Sequence, residues 1–293
     1  MPIHRNQLRE DLQALVGERH PITSPNRLRQ TEAYLHRRFS EAGLTVTTQP
    51  FPALGGTSHN VIGTVLPERG LSQSVPPLIL AAHFDTVEGS PGADDNASAL
   101  VVMLQVARQV RAMTLARPIR FIAFNLEEEN LLGSQAYTSL LRNNGESIHG
   151  AIVLECVGYA SHQPNSQKIP PGIPIAVPTT GNFLAVIGNQ TALPLVGLLT
   201  EAGRQTVSEL PLIPLVVPGR GEQLPDTRRS DHAAFWDEGY PAIMLTDTAN
   251  FRNPHYHKST DTIDTLNLEF VALVTRLVTD TARRWAAVER HDT

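Results

Sequence analysis

A chain of 293 residues with 41% hydrophobic content can bury a substantial core, as one large α/β domain or two small ones. A formal net charge of -5 offers no basic footprint, which argues against nucleic acid as a partner. The charged opening residues Arg5, Arg9, Glu10 and Asp11 are unlike a secretory signal, and apolar runs such as 78–82 fall far short of the ~20 residues of a membrane span. A cytoplasmic protein with no membrane partner is therefore expected.

The opening segment predicts two helices, over about 5–16 and 25–42, the second with Ser24 as N-cap and Pro25 at its first position. Short strands follow at 44–51, 60–66, 77–82, 119–125 and 151–155, and again at 183–187, 212–217 and 242–246. Helical stretches lie between them at 97–112, 133–141, 193–205 and 231–238, and a last helix covers about 268–288. No linker or internal repeat interrupts this pattern, so 1–293 is read as one domain, with a helical N-terminal part of about 1–43 packed on it. Short apolar strands alternating with amphipathic helices argue for an α/β fold, its mostly parallel, mixed central sheet sandwiched by helices. In such sheets active sites collect at the carboxyl ends of the strands.

Acidic and imidazole side chains fall at those ends. His83 and Asp85 close one predicted strand, Glu127 and Glu128 follow another, and Glu155 ends a third. Asp95 lies in Gly92-Ala93-Asp94-Asp95-Asn96, and His257 in Asn253-Pro254-His255-Tyr256-His257. Two apart in extended chain, His83 and Asp85 point to the same side, which places the carboxylate to orient the imidazole. Taken singly, each residue has an ordinary explanation: a strand-end histidine, an acidic helix cap, a solvated acidic patch, a surface loop. Together they do not. Carboxylates emerging from the apolar strand 121–124, and Glu155 within another, are costly to bury without a cation. Two imidazoles and three carboxylates suit a pair of zinc-type ions, one carboxylate bridging and an open side left for water and substrate. That donor set points to hydrolysis of a carbonyl bond, and it accepts Zn2+, Co2+ or Mn2+. Cys156, the single cysteine, is expected to be a core residue rather than a nucleophile.

Five motifs carry a family resemblance: His83-Phe84-Asp85, Gly92 through Ser98, Glu127-Glu128 with Leu131-Leu132-Gly133-Ser134, Leu154-Glu155, and Asn253 through His257. From about residue 60 onward the chain resembles metallopeptidase family 28, the di-zinc aminopeptidases and their relatives. The resemblance implies the zinc-exopeptidase, phosphorylase/hydrolase-like fold, two bound Zn2+ and a role for each residue. Asp95 would bridge both ions, His83 and Glu155 would complete one shell, and Glu128 and His257 the other. Glu127 would be the general base, and Asp85 is counted with it as the catalytic partner of the imidazole. A strained peptide bond between Asp95 and Asn96 is also implied. Asn130 and Ala99 depart from the pattern, each standing where the family commonly has glycine.

The run Thr227-Arg228-Arg229-Ser230-Asp231-His232 resembles a segment near the site in that family. Ser230, Asp231 and His232 become candidates for supporting the ligands, and Arg228 or Arg229 for contacting a substrate carboxylate. Two solvent-facing arginines before a helix capped by Ser230 is an equal alternative. The proline-rich 163–180 segment reads as a loop, with a rim or lid over the cleft as one role open to it. The expected activity is removal of one residue from a free peptide N-terminus, by a monomer or simple homo-oligomer. Alternatives are a dipeptidase or carboxypeptidase, a glutaminyl cyclase with a single zinc, and a non-catalytic binding relative.

Overall fold

The computed structural model describes residues 5–67 and 75–287. Helices α1 (Arg5–Leu15) and α2 (Pro25–Glu41) lead into a hairpin of β1 (Thr45–Ala53) and β2 (Gly56–Val65). Strand β3 (Leu78–His83) connects through a kinked turn, Ala93–Ser98, to α3 (Ala99–Arg111), and β4 (Ile119–Phe124), α4 (Leu132–Asn143) and β5 (Gly150–Glu155) follow. The remainder comprises β6 (Leu184–Asn189), α5 (Leu193–Thr206), β7 (Leu212–Val217), α6 (His232–Asp237), β8 (Ala242–Thr246) and α7 (Leu268–Ala286). The last helix thus ends before Val288, which lies outside the described residues. Ser24 does occupy the N-cap of α2 but makes no side-chain cap bond; its carbonyl accepts from Leu28 N instead.

All strands join one sheet in the order β1-β2-β4-β3-β5-β8-β6-β7. The centre, β4-β3-β5-β8, is parallel. Antiparallel pairing flanks it on both sides, through β2 on β4 and β6 on β8. Along β3, Leu78, Leu80 and Ala82 face a core shared with α1, α2, α3, α5 and α7, whereas Ile79 and Ala81 face a second core shared with α4 and α6. This period of two, with helices on both faces, explains why the central strands are apolar throughout. Among the described residues no helix is long and apolar enough to cross a membrane.

The hairpin is longer than its apolar pattern suggests. Ala53 pairs with Gly56 across Leu54 (φ 50°) and Gly55 (φ 75°), a two-residue turn with both central residues left-handed. Leu-Gly is not the Asn-Gly or Asp-Gly signal of such turns, so the sequence hides it.

The parallel centre brings the carboxyl ends of β3, β4, β5 and β8 to one edge. A buried asparagine fixes the β4 end. Asn60 Nδ2 donates to Gln49 Oε1 (2.8 Å) and to the Gly133 carbonyl (2.9 Å), while its Oδ1 accepts from Asn125 N (3.0 Å). Gly133 lies so close that a Cβ would stand 2.2 Å from the Asn125 carbonyl and 2.6 Å from Asn60 Oδ1. Gly133→Ala is therefore expected to destabilise the fold by about 1–3 kcal/mol, since backbone rather than a flexible side chain must yield. Gly197 in α5 has nothing within 4 Å of the same position, so Gly197→Ala should stabilise by about 0.5–1 kcal/mol. Denaturant unfolding of the two variants checks the opposite signs.

Candidate metal centre

Asp95 stands between two imidazoles. Its Oδ1 lies 3.2 Å from His83 Nε2 and its Oδ2 lies 3.0 Å from His257 Nε2. Each histidine has a further carboxylate of its own: Glu155 Oε2 is 3.4 Å from His83 Nε2, and Glu128 Oε2 is 3.3 Å from His257 Nε2. Donor atoms of His83, Asp95 and Glu155 all lie within 4.8 Å of one another, as do those of Asp95, Glu128 and His257. Glu127 Oε2 is 3.9 Å from His83 Nε2, the longest of these contacts, and His83, Glu127 and Glu128 form a third group within the same limit.

Turns hold these side chains in place. The Asp85 carboxylate accepts from Glu127 N (3.0 Å) and Glu128 N (3.1 Å) and lies 3.5 Å from His83 Nδ1, so it joins the β3 and β4 ends. It acts through those neighbours. Asn96 does the same for β5: its Nδ2 donates to the Leu154 carbonyl (3.0 Å) and its Oδ1 accepts from Cys156 N (3.0 Å), bracketing Glu155. Asp261 accepts from the backbone of Asp94 and Asp95. Asp94 in turn accepts from Gly158 N (2.8 Å) and Asn253 Nδ2 (2.7 Å). The Asp95-Asn96 peptide bond is cis. Asn130, which replaces a glycine of the family pattern, has φ 63°, a left-handed conformation that asparagine tolerates better than most residues.

Arg19 was not foreseen from the sequence. Fully buried, it donates to the carbonyls of Leu15, Gly17, Phe84, Pro91 and Gly92 at 2.7–3.0 Å, clasping the loop between His83 and Asp95. Burial pulls its pKa down to about 10, against the pull of Asp95 and Asp85, which leaves it charged at neutral pH. Only an arginine's planar fork of donors serves that many carbonyls at once.

The charges of the cluster do not balance. Burial opposes the charged form of His83, but Glu127 and Glu155 outweigh it and raise its pKa well above the usual value. Burial likewise opposes ionisation of Asp95, yet the two histidines hold its pKa low. Burial, then neighbouring carboxylates, raises Glu127 well above the ordinary range and pushes Glu128 up to about 7. Both ring nitrogens of His83, Asp95 Oδ1 and Glu128 Oε1 are buried without a hydrogen-bond partner. Orphaned donors aimed at one another in an acid-rich site fit divalent cations, and two clusters sharing Asp95 fit two. Cys156 is buried, and its thiol donates to Glu155 Oε1 at 3.2 Å; burial and the surrounding carboxylates raise its pKa far above that of a nucleophilic thiol.

The 227–232 run divides. Ser230 Oγ donates to Glu155 Oε2 at 2.8 Å, and Asp231 is buried nearby with its pKa pushed up to about 7 by burial and by Asp85 and Glu155. His232 turns away from the cluster, its Nε2 bonded to the Thr227 carbonyl at 2.7 Å and its ring edge-on to Trp236. Arg228 does not join the site: its guanidinium is held by Asp237 (2.9 Å) and the Arg220 carbonyl, an ion pair that keeps it on the surface. Arg229 does reach the cleft, bonding Asn250 Oδ1 (2.7 Å) and Tyr256 Oη (3.3 Å) at the rim of an apolar pocket. Ile173, Ile187, Leu215, Met244 and Phe251 line that pocket, with Glu155 and Tyr256 at its junction with the cluster. Pro170 and Ile173 come from the proline-rich segment, which thus forms a wall, anchored where Gln167 bonds Thr248 and Arg252.

A parallel-centred sheet with this donor cluster at its carboxyl edge defines an α/β protein whose site is built to hold a divalent cation. The sequence model of peptidase family M28 matches residues 60–282. YfbL, an uncharacterized protein of Escherichia coli strain K12, is 30% identical over 92% of this chain and 84% of its own length. A probable leucine aminopeptidase 1 of Trichophyton verrucosum is 28% identical over 77% of this chain, but the match spans only 58% of that protein. Among solved structures, LapB from Legionella pneumophila superposes with a TM-score of 0.75 at 21% identity, covering 98% of this chain and 73% of LapB. The chain belongs to peptidase family M28.

His232 yields a pH prediction. Burial pushes its pKa down to about 4, below the ~6.5 of an unfolded histidine, so the unfolded state takes up the proton first as pH falls. The contribution is complete above about pH 6.5 and is lost between there and about pH 4, up to ~3 kcal/mol in all. His232→Gln should have a flatter stability profile than the parent across that window, read by urea unfolding at stepped pH; an unchanged slope difference would show that His232 does not titrate there.

Proposed function

We propose that the chain is an aminopeptidase, hydrolysing the bond after a free N-terminal residue with two divalent ions of the zinc type. The observation that carries this is the division of Asp95 between two histidines, each with its own carboxylate. Asp95, His83 and Glu155 would hold one ion, and Asp95, Glu128 and His257 the other. Bound there, such ions supply Lewis acidity, lowering the pKa of a water and polarising the scissile carbonyl.

The chain's own groups supply the rest. Glu127, held through its backbone by Asp85, takes a proton from the attacking water and passes it to the leaving amine. Asp85, Asn96, Ser230 and Asp261 keep the ligands in register and contact no reacting atom. The apolar pocket beyond Glu155 and Tyr256 receives the side chain of the N-terminal residue, so medium-sized apolar residues are preferred there. The name of the fungal relative supports that preference.

Peptides with free and with acetylated N-termini, incubated with the zinc-loaded protein and read by mass spectrometry, test the proposal. Only the free set should lose single N-terminal residues, and a chelator should abolish the loss. Release of C-terminal residues, or cyclisation of N-terminal glutamine, would overturn the aminopeptidase assignment. Glu127→Gln is expected to keep its metal and lose turnover by about 10²–10⁴-fold, whereas Glu128→Ala loses metal as well. Equal metal content in the two variants, measured by atomic emission, would show that the pair's roles are misassigned.

A further inference from the structure

Resting on the aminopeptidase proposal, we infer that the peptide downstream of the cut lies extended in a groove between α2 and the β1–β2 hairpin. Pro21, Leu28 and Glu32 line one side of this groove, Leu54 and Thr57 the other, and Asn125 contributes where β4 ends. The order of the sheet puts it in line with the chemistry. The apolar pocket is lined from β5, β6, β7 and β8, the cluster centres on His83 at the end of β3, and the groove lies at β4, β2 and β1. A peptide with its first side chain in the pocket and its first carbonyl at the cluster is aimed across β4 into the groove.

Dimensions agree with that path. From β5 through β3 and β4 to β2 is three strand spacings, about 14 Å, the span of about four extended residues. The hairpin stands above the edge as a wall: Val61 pairs with Ala123 near the end of β4, and β2 begins as far back as Gly56. Asn125 is 3% exposed, and its Oδ1 has no hydrogen-bond partner. Asn125 therefore forms a closed floor where the groove meets the end of β4, and an extended peptide passes over it. Leu54, at the hairpin tip, is 54% exposed and offers an apolar lip. Glu32 and His59 face each other at 3.5 Å, and the other lining groups that can carry charge, Arg29 and His36, are exposed to solvent that screens them. The groove therefore holds main chain and small apolar contacts, and sets a preference for length without one for downstream charge.

The test uses the full chain loaded with zinc and a series running from leucine p-nitroanilide through Leu-Ala to Leu-Ala-Ala-Ala-Ala, each peptide with a free or amidated C-terminus. We expect kcat/KM to rise about tenfold from the dipeptide to four or five residues and then level, equally for acid and amide, as remote binding is used at the reacting bond. Thr57→Trp and Leu54→Asp, both at exposed positions, should abolish the rise while leaving anilide hydrolysis unchanged. Equal kcat/KM at every length with the anilide still cleaved, or a rise that survives both variants, would overturn the groove assignment alone. Failure to release leucine from any member would instead overturn the aminopeptidase proposal.

Discussion

Four carboxylates packed beside two imidazoles at the end of an apolar sheet carry more negative charge than the protein's own groups neutralise. Glu127, Glu128 and Glu155 converge with Asp95 on His83 and His257, and His83, Asp95 and Glu155 are buried deeply enough that solvent stabilises their charge poorly. A fold can hold such a cluster only if each carboxylate is tethered and a cation shares the field. The tethers are visible. Asp85 and Asp261 are further acids whose oxygens are taken up by backbone N–H groups of the ligand turns, so they fix the ligands rather than crowd them. Arg19 places a permanent positive charge beside the loop that carries Asp95, with each of its three guanidinium nitrogens bonded to carbonyls.

Local backbone strain gathers at the same edge. Leu126 (φ 59°), Cys156 (φ 48°) and His257 (φ 58°) are left-handed without being glycine, and each lies beside or at a metal-site residue. Such residues cost about 1–2 kcal/mol apiece, so neighbouring contacts must over-determine them. For Cys156 those contacts are the Asn96 amide on its N–H and the Asp247 N–H on its carbonyl. The reward is direction: a strand that turns sharply after Glu155 presents the carboxylate to the cluster instead of continuing past it.

Much of this was legible in the sequence because it rests on contrast. A glutamate ending the run Ala151-Ile152-Val153-Leu154, or three after Phe121-Ile122-Ala123-Phe124, is conspicuous against apolar strands, and a mostly parallel sheet sandwiched by helices follows from the alternation of the two. What stayed hidden lacks any local contrast. Arg19 sits in a segment already rich in arginine, and its burial depends on loops 65 to 73 residues away. Arg228 and Arg229 are neighbours of one type; only the path of the chain sends one to Asp237 and the other to Tyr256. The pocket walls come from β6, β7, β8 and the proline-rich loop, each of which reads by itself as ordinary core or ordinary coil.

The family match begins at residue 60, yet the site does not. Arg19 grips the His83–Asp95 loop, Arg19 N also donates to Thr86 Oγ1, Gly17 N donates to the Pro91 carbonyl, and His20 reaches within 3.8 Å of Glu129. These contacts tie residues 17–20 to the turns after both β3 and β4. The helices on either side, α1 and α2, bury Leu8, Leu12, Leu15, Leu28, Leu35 and Phe39 in the same core as α3, so the clasp is backed by packing and cannot lift without exposing that surface. The opening helices are thus a structural part of the donor cluster: they hold the loop that carries Asp95, and α2 supplies one side of the groove beside it.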